Sequence, residues 1–562
     1  MIITVMDKII KIKSKIKDTD LKKRRDKIIS AILINRGIKT KADQKDFLNP
    51  IDPEKIKPED VGINKVQLKK AVTRIKKAIK NKELIYIYGD YDADGITSTA
   101  VLWESLHALK AKVMPYIPGR GDTIRGLSPD GIDQILSDKD GPCQLIITVD
   151  NGISAFKGSE YAAKKGIDVI ITDHHQPKVK NKKPYYPKVV SVVHTTKLAG
   201  VGVSWFLARE LKDLETSLEL VAIGTIADMV PLTKANRSLV KFGLESLKQS
   251  KRIGLNALAS VSKIELPTIA TYQIGYMIGP RLNAMARLEH ALDSLRLLCT
   301  TSLEKANKLA NNLNQTNLER QDKTMKMYFH ANNQIIEHNQ SKKKLNFVQH
   351  QSYHEGIVGL VASRLVEKYY KPAFVVSMGE TFSKASARSI KGFNVLKAIR
   401  SMEDIILEHG GHQMAAGFTV KNVNLPEVQK RLEDLAEKEL TKDQLTPTIN
   451  IDCQLNLSDI NWELFEELEK LEPSGFGNKP PLFISKKVEL VDFRTVGQDQ
   501  KHLKLTLQGL SLQDNLPAIA FNLGAKATKL KSGQKIDIIY TIDKNEWNGN
   551  KTLQLKIKSI NT

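Results

Sequence analysis

Apolar and polar positions change period several times along the chain. In Val72-Thr73-Arg74-Ile75-Lys76-Lys77-Ala78-Ile79 the apolar residues recur at helical spacing and lysine fills much of the rest. Residues 1–80 as a whole read as a basic helical segment. From Leu84 the spacing shortens. Leu84-Ile85-Tyr86-Ile87-Tyr88 is a compact apolar run, followed by an Asp-rich loop and a helix-like stretch over 96–106. Leu145-Ile146-Ile147-Thr148-Val149 repeats the pattern and stops at Asp150; Ile167-Asp168-Val169-Ile170-Ile171-Thr172 repeats it and stops at Asp173-His174-His175. Buried strands alternating with helices predict a parallel α/β sheet over 81–300. Residues 301–340 lack Pro and Gly and carry Leu309, Leu313 and Leu318 at helical spacing, which predicts a long connecting helix. A second α/β unit is expected over 341–442. Alternation in Leu503-Lys504-Leu505-Thr506-Leu507 and Ile536-Asp537-Ile538-Ile539-Tyr540 predicts a small all-β module over 443–562.

The ends of the apolar runs carry the candidate chemistry. Ligands in open α/β sheets bind beyond the carboxyl ends of the strands, so the acidic and histidine clusters can meet in one crevice. Asp90, Asp92 and Asp94 alternate with Tyr91 and Ala93, and Gly95 permits a tight turn. Oxygen ligands so spaced suit hard cations such as Mg²⁺ and Mn²⁺. A calcium loop is excluded, because the twelfth position counted from Asp90 is Val101 rather than glutamate. Helix capping accounts for one of the three aspartates but not for all. Asp150 precedes the turn-forming Asn151-Gly152, and Asp228 ends Gly224-Thr225-Ile226-Ala227. His174 and His175 are adjacent, so in an extended chain they point apart. On that reading one faces metal, and the other contacts phosphate or acts as a general acid.

Taken in order, Tyr88-Gly89-Asp90-Tyr91-Asp92-Ala93-Asp94-Gly95, Val149-Asp150-Asn151-Gly152, Thr172-Asp173-His174-His175 and Ala227-Asp228-Met229-Val230-Pro231-Leu232 resemble the successive motifs of the DHH phosphoesterase superfamily. Arg281-Leu282-Asn283-Ala284, Gly359-Leu360-Val361-Ala362-Ser363-Arg364-Leu365, Gly411-His412-Gln413-Met414-Ala415-Ala416-Gly417 and Gly475-Phe476-Gly477-Asn478 extend the likeness to the RecJ exonuclease family. The resemblance implies a DHH domain, a DHH-associated domain and an OB-fold. It implies 5′→3′ hydrolysis of single-stranded DNA in repair and recombination. It also implies two divalent cations, Mn²⁺ or Mg²⁺, held by Asp92, Asp94, Asp150, His174 and Asp228, with Asp90 and His175 beside them and Asp150 bridging. Arg120 resembles the family's loop arginine, and Ser386 and Arg388 resemble its holders of the terminal 5′-phosphate. Arg281, Asn283 and His412 are further substrate-binding candidates. The chain departs from the family pattern at Val193, His194, Ala286 and Ser474, none of them a proposed ligand. Other readings are a superfamily phosphoesterase for short RNA or nucleotides, which would lack the third domain, and an inactive nucleic-acid-binding relative, which would have lost carboxylates.

Composition changes this picture in two respects. Lys and Arg outnumber Asp and Glu, 86 to 63, for a formal net charge of +23, which favours a polyanionic partner over a membrane surface unless the whole proteome is Lys-rich. The three scattered cysteines suit a reducing compartment, and neither a signal peptide nor a membrane span is apparent. A cytoplasmic location is therefore expected. The family resemblance adds single-strand-binding protein and a RecQ-type helicase as expected partners.

Overall fold

The computed structural model describes the chain apart from residues 1, 6–7, 15, 17–20, 120–125, 139–140, 212–216, 510–514, 548 and 562. Among the described residues no helix is long and apolar enough to cross a membrane. The chain divides into two compact units, one of residues 52–230 and 238–446, the other of 1–51, 231–237 and 447–562.

In the larger unit, five parallel strands lie in the order Lys112–Tyr116, Leu84–Gly89, Cys143–Val149, Asp168–Asp173, Ser191–His194. Leu84–Gly89 is buried along its whole length, as the unbroken apolar run predicts for a strand covered on both faces. Register then fixes where chemistry falls. Gly89 pairs with Val149, Val149 with Thr172, and Asp173 with His194. Asp90, Asp150 and His174 therefore emerge side by side at one edge. Ala93–Ala108, longer than the predicted 96–106, packs its small and hydroxyl residues in the interior. Thr97, Thr99 and Ser105 donate back to carbonyls one turn earlier, which removes the cost of burying their hydroxyls.

The predicted connecting helix is a single element, Leu303–Glu337. It leads into a mixed five-stranded sheet ordered Asn346–His350, Ala373–Met378, Phe382–Arg388, Ala415–Lys421, Ile406–His412. Only its first pair is parallel. The second α/β unit is thus present.

In the smaller unit, Phe483–Val496, His502–Leu507, Leu516–Ala520, Asn550–Asn561 and Lys535–Trp547 pair in succession, and the last returns to the first to close a five-stranded barrel. One expectation is corrected here. Residues 1–80 are not helical throughout: Leu21–Asn35, Lys41–Leu48 and Lys65–Lys80 are helices, the last holding the Val72–Ile79 pattern, but Ile2–Val5 and Lys8–Ser14 are strands, and Lys8–Ser14 pairs in parallel with Thr448–Gln454. Buried Ile10 and Ile12 alternate with lysine, a period of two that the dense lysine conceals. Residues 1–51 belong with the C-terminal module.

Arg237 is the fixed point of this unit. It is almost wholly buried and donates to the carbonyls of Phe47, Lys470, Leu471, Glu472 and Pro473 at 2.7–3.5 Å. Its guanidinium also lies 4.0 Å above the Phe47 ring. Arg237→Met keeps bulk but leaves those carbonyls without donors, so a loss of at least ~3 kcal/mol is expected in denaturant unfolding. Arg237→Lys, with fewer donors and no planar fork, should recover less than half of it.

Candidate active site

The Asp90–Gly95 loop is held by its own backbone. Asp92 Oδ1 caps the following helix, accepting from Asp94 N at 3.0 Å and Gly95 N at 3.1 Å. Asp94 Oδ2 and Oδ1 accept from Gly200 N and Val201 N, at 2.7 and 2.9 Å, where the helix Gly200–Leu211 begins. A helix N-terminus stabilises that buried charge. Asn283 Oδ1 accepts from Ala93 N at 2.7 Å and ties the helix Gly279–Leu288 to the same loop.

Around this loop the sheet edge collects the remaining candidates. His174 Nε2 lies 3.1 Å from Asp150 Oδ1, 3.7 Å from Asp228 Oδ2 and 3.9 Å from Asp94 Oδ2. Ligand atoms of Asp94, His174 and Asp228 fall within 4.8 Å of one another, and so do those of Asp90, Asp92 and Asp150, and of Asp150, His174 and His175. Asp150 Oδ1 is buried yet receives no hydrogen bond among the described residues. Such an orphaned oxygen suits a cation. Asp150 and Met229 both adopt left-handed backbone, φ 61° and 60°, which turns the chain sharply at each of these positions. Only glycine fits at 200, because a Cβ there would lie 2.5 Å from Asp150 Oδ1.

Charge crowding shifts the titrating groups. Burial, then repulsion among the aspartates, raises Asp94 and Asp150 well above the carboxylate range. Burial and Asp92 push Asp228 up to about 7. Burial and the neighbouring His175 lower His174 to about 4, so its ring is neutral. Burial alone would lower His175 too, but its hydrogen bond to Asp173 and that carboxylate's charge lift it to about 9.

Asp173 has a role that the spacing of the motif does not disclose. It is buried, and its oxygens accept from Ile153 N, His174 N, His175 N and His175 Nδ1 at 2.7–3.0 Å. This turn corrects the picture of two rings pointing apart. The chain is no longer extended after Asp173, and the rings sit 4.4 Å apart on one side.

The phosphate-binding candidates gather in the second sheet. Arg388 Nη1 donates to Ser386 Oγ at 3.1 Å. Gly359, in the first turn of the helix Val358–Tyr369, lies against both: a Cβ there would stand 3.0 Å from Ser386 Oγ and from Arg388 Nη2. Arg388 and His412 both pair with Ala415 and so occupy one row across three strands. His412 is exposed. Arg281 donates to Asn314 Oδ1 and to the Met277 carbonyl. Arg287, further along the same helix as Asn283, donates to Gly356 O at 2.7 Å, just before the Gly359 turn. Arg120 lies outside the described residues.

Three family models match the chain: the DHH family N-terminal domain over 84–225, the DHHA1 domain over 342–438 and the RecJ OB domain over 451–559. The single-stranded-DNA-specific exonuclease RecJ of Bacillus subtilis is 36% identical over 94% of this chain and 67% of its own length. The Escherichia coli protein of that name is 31% identical over 88% of this chain and 90% of its own. Among solved structures, RecJ of Thermus thermophilus in complex with Mn²⁺ superposes with a TM-score of 0.81 at 28% identity, covering 98% of this chain and 79% of that one. Its complex with Mg²⁺ gives 0.75 at 27% identity, with 98% and 78% covered.

With divalent ions chelated, stability should fall as pH rises from 6.5 to 9. His175 holds its proton in the folded chain up to about 9 and in the unfolded chain only to about 6.5. The stability it confers is complete below 6.5 and is lost through 9. Asp228, raised to about 7, acts with the same sign from about 4 upward, so only the last part of its loss, up to about 7, overlaps that window. His174 acts with the opposite sign, but only between about 4 and 6.5. Melting temperatures across the range measure the slope, and His175→Gln should flatten it.

Proposed function

The chain belongs to the RecJ family of single-stranded-DNA-specific exonucleases, and we propose that it hydrolyses phosphodiester bonds of single-stranded DNA in the 5′→3′ direction. The observation that carries this reading is the meeting of Asp90, Asp92, Asp94, Asp150, His174 and Asp228 at one sheet edge around an unsatisfied buried oxygen. That donor set fits hard divalent cations, Mn²⁺ or Mg²⁺. Asp94, His174 and Asp228 would hold one ion, Asp90 and Asp92 the other, with Asp150 reaching both. Two such ions, when bound, lower the pKa of a water and neutralise charge on the leaving oxygen.

The chain's own groups do the rest. Neutral His174 offers a ring nitrogen as ligand, and Asp173 keeps His175 protonated with Nδ1 engaged, so Nε2–H is free to face the reacting phosphate. Arg388, Ser386 and the Gly359 turn hold the terminal 5′-phosphate, with His412 in the same row. That grip sets which bond meets the ions, and hence the polarity. Asn283 positions the Asp90–Gly95 loop, Arg281 faces the strand, and Arg120 is carried forward on the family pattern alone. Residues 81–300, 301–340, 341–442 and 443–562 serve as catalytic domain, connecting helix, DHH-associated domain and OB-fold, with residues 1–51 completing the last. In the barrel, Phe521 is exposed beside His502 while Phe493 leans on the core, so Phe521 with Lys501 and Lys504 is the stacking candidate. Work in DNA repair and recombination in the cytoplasm, beside single-strand-binding protein and a RecQ-type helicase, completes the reading.

Digestion of end-labelled single-stranded DNA, duplex DNA and RNA tests it directly. Release of 5′-terminal nucleotides from single-stranded DNA, dependent on Mn²⁺ or Mg²⁺, is the expected result. Asp150→Ala should abolish cleavage. In chelator Asp150→Asn, which tolerates the same left-handed backbone, should melt at a higher temperature than wild type and depend less on pH, because a carboxylate buried among other aspartates is removed. Arg388→Ala should weaken attack on 5′-phosphorylated strands by about 1.5–3 kcal/mol and matter much less for 5′-hydroxyl strands. Equal losses on both substrates would assign Arg388 to folding or general binding.

A further inference from the structure

Two short strands, Lys178–Lys180 and Lys183–Tyr185, form a hairpin that stands apart from the five-stranded parallel sheet. Every residue in them is exposed, so the hairpin adds nothing to the core. Its root is the metal edge. Lys178 follows His175 by three residues. At the other end Tyr186 lies 6.0 Å from the His194 ring, whose Nε2 meets the His175 carbonyl at 2.7 Å. Tyr185 stacks on Phe156 at 4.8 Å and 13°, with Lys178 over the Phe156 ring and Lys180 over Tyr185. A lone two-stranded hairpin is marginal in water, and these ring contacts hold it in place.

The charge of the hairpin is one-sided. Residues 176–188 contain five lysines, Lys178, Lys180, Lys182, Lys183 and Lys188, and no carboxylate. None of the five has an ion-pair partner among the described residues. Surface lysines elsewhere do, as Lys248 with Glu245, Lys326 with Asp322 and Lys343 with Glu433. Lys182 even bears left-handed backbone, φ 62°, in the Asn181-Lys182 turn, where glycine would cost less. A row of lysines held clear of counter-charge calls for a polyanion. Shape and ring contacts select which. An acidic peptide needs a groove to lie in, whereas this hairpin is a projection. Its rings are engaged with one another and with lysine, so they brace the hairpin rather than stack on splayed bases. Duplex DNA matches both features: its major groove admits a two-stranded β-ribbon, and it carries one phosphate charge per ~1.7 Å.

We propose that the hairpin, with Lys188, docks duplex DNA that adjoins the single strand under attack. Lysine point charges contact the phosphate backbone and leave the bases unread. Lys182 and Lys183, at the turn, take no part in the ring contacts and are free for this role. Because the hairpin is rooted at the metal edge, a duplex held there keeps its single-stranded tail beside the ligand cluster. This inference rests on the nuclease reading above and adds a hold that a free strand lacks.

The test uses the full chain in chelator, which prevents cleavage, with fluorescence anisotropy of two ligands. One is an oligothymidylate; the other is a duplex that carries the same sequence as a 5′ single-stranded tail. Failure of wild type to bind the free strand would defeat the nuclease reading, whatever the hairpin does. The proposal is judged on the tailed duplex, which wild type should bind more tightly and with a steeper fall of log affinity against log salt. The triple variant Lys180→Gln, Lys182→Gln, Lys183→Gln should weaken the tailed duplex roughly tenfold and reduce its salt slope by about 2–3, the share of three phosphates. Its binding of the free strand and its digestion of plain single strands with Mn²⁺ should be unchanged. Arginine at the same three positions should restore binding of the tailed duplex, since charge is what the contact needs. Lys182→Gly removes one charge while easing the left-handed turn, so it should keep the melting temperature and lower the salt slope on the tailed duplex by about 0.9. Equal losses on both ligands would assign the hairpin to the single strand, and no loss on either would make it solvated surface; each overturns the proposal. So would an undiminished grip on DNA with lost binding of a polyglutamate peptide, which would mark a protein-facing site.

Discussion

Repulsion among buried carboxylates is the constraint on which the larger unit is organised. Asp94, Asp150 and Asp228 surround one neutral imidazole, and each would rather be protonated than share the space. The fold answers mainly with dipoles, and with one cation, the protonated His175 against Asp173. The first amides of Gly200–Leu211 face Asp94, the start of Ala93–Ala108 faces Asp92, and four N–H groups face Asp173. Each of these needs a strand end and a helix start in register, which the parallel sheet supplies. Glycine at 200 then lets Asp150 lie directly against the helix start. Stability is given up at this edge so that negative charge can be held close and in fixed geometry.

Much of that arrangement was legible in the residues. Apolar runs that stop at Asp90, Asp150 and His174 locate strand ends, and the doubly wound rule brings such ends together without any coordinates. What escaped depends on local geometry that periodicity does not carry. Asp173 stands beside the two histidines in sequence, but its role appears only once the chain turns and its oxygens meet four donors. The same turn brings together rings that an extended chain would separate. In Lys8–Ser14 the alternation of Ile10 and Ile12 with lysine is present, but the lysine-rich surroundings resemble a helical face.

Three arginines show how partner chemistry, rather than residue type, separates support from recognition. Arg237 is saturated by main-chain carbonyls, and Arg252 by two glutamates. Neither has capacity left for a ligand. Arg388 donates through Nη1 to Ser386 and the Ala387 carbonyl and lies against a glycine turn. Its fork is oriented before any substrate arrives, which lowers the entropy cost of gripping a phosphate.

The parallel pairing of Lys8–Ser14 with Thr448–Gln454 has a consequence for biosynthesis. Thr448 follows Ser14 by 434 residues, so the strand made among the first must wait for one made near the last. At roughly 5–20 residues per second, that interval is about 20–90 s on the ribosome. Throughout it Lys8–Ser14 has Ile2–Val5 on one side only, and its other edge offers backbone donors and acceptors with no strand to join, while the parallel sheet of the larger unit can already form. Alternating lysines are a fitting guard for such a period, since like charges keep neighbouring nascent chains from pairing edge to edge. The unit is therefore assembled from strands far apart in the sequence, and a ribosome that stops before Thr448 leaves one edge of Lys8–Ser14 without its parallel partner.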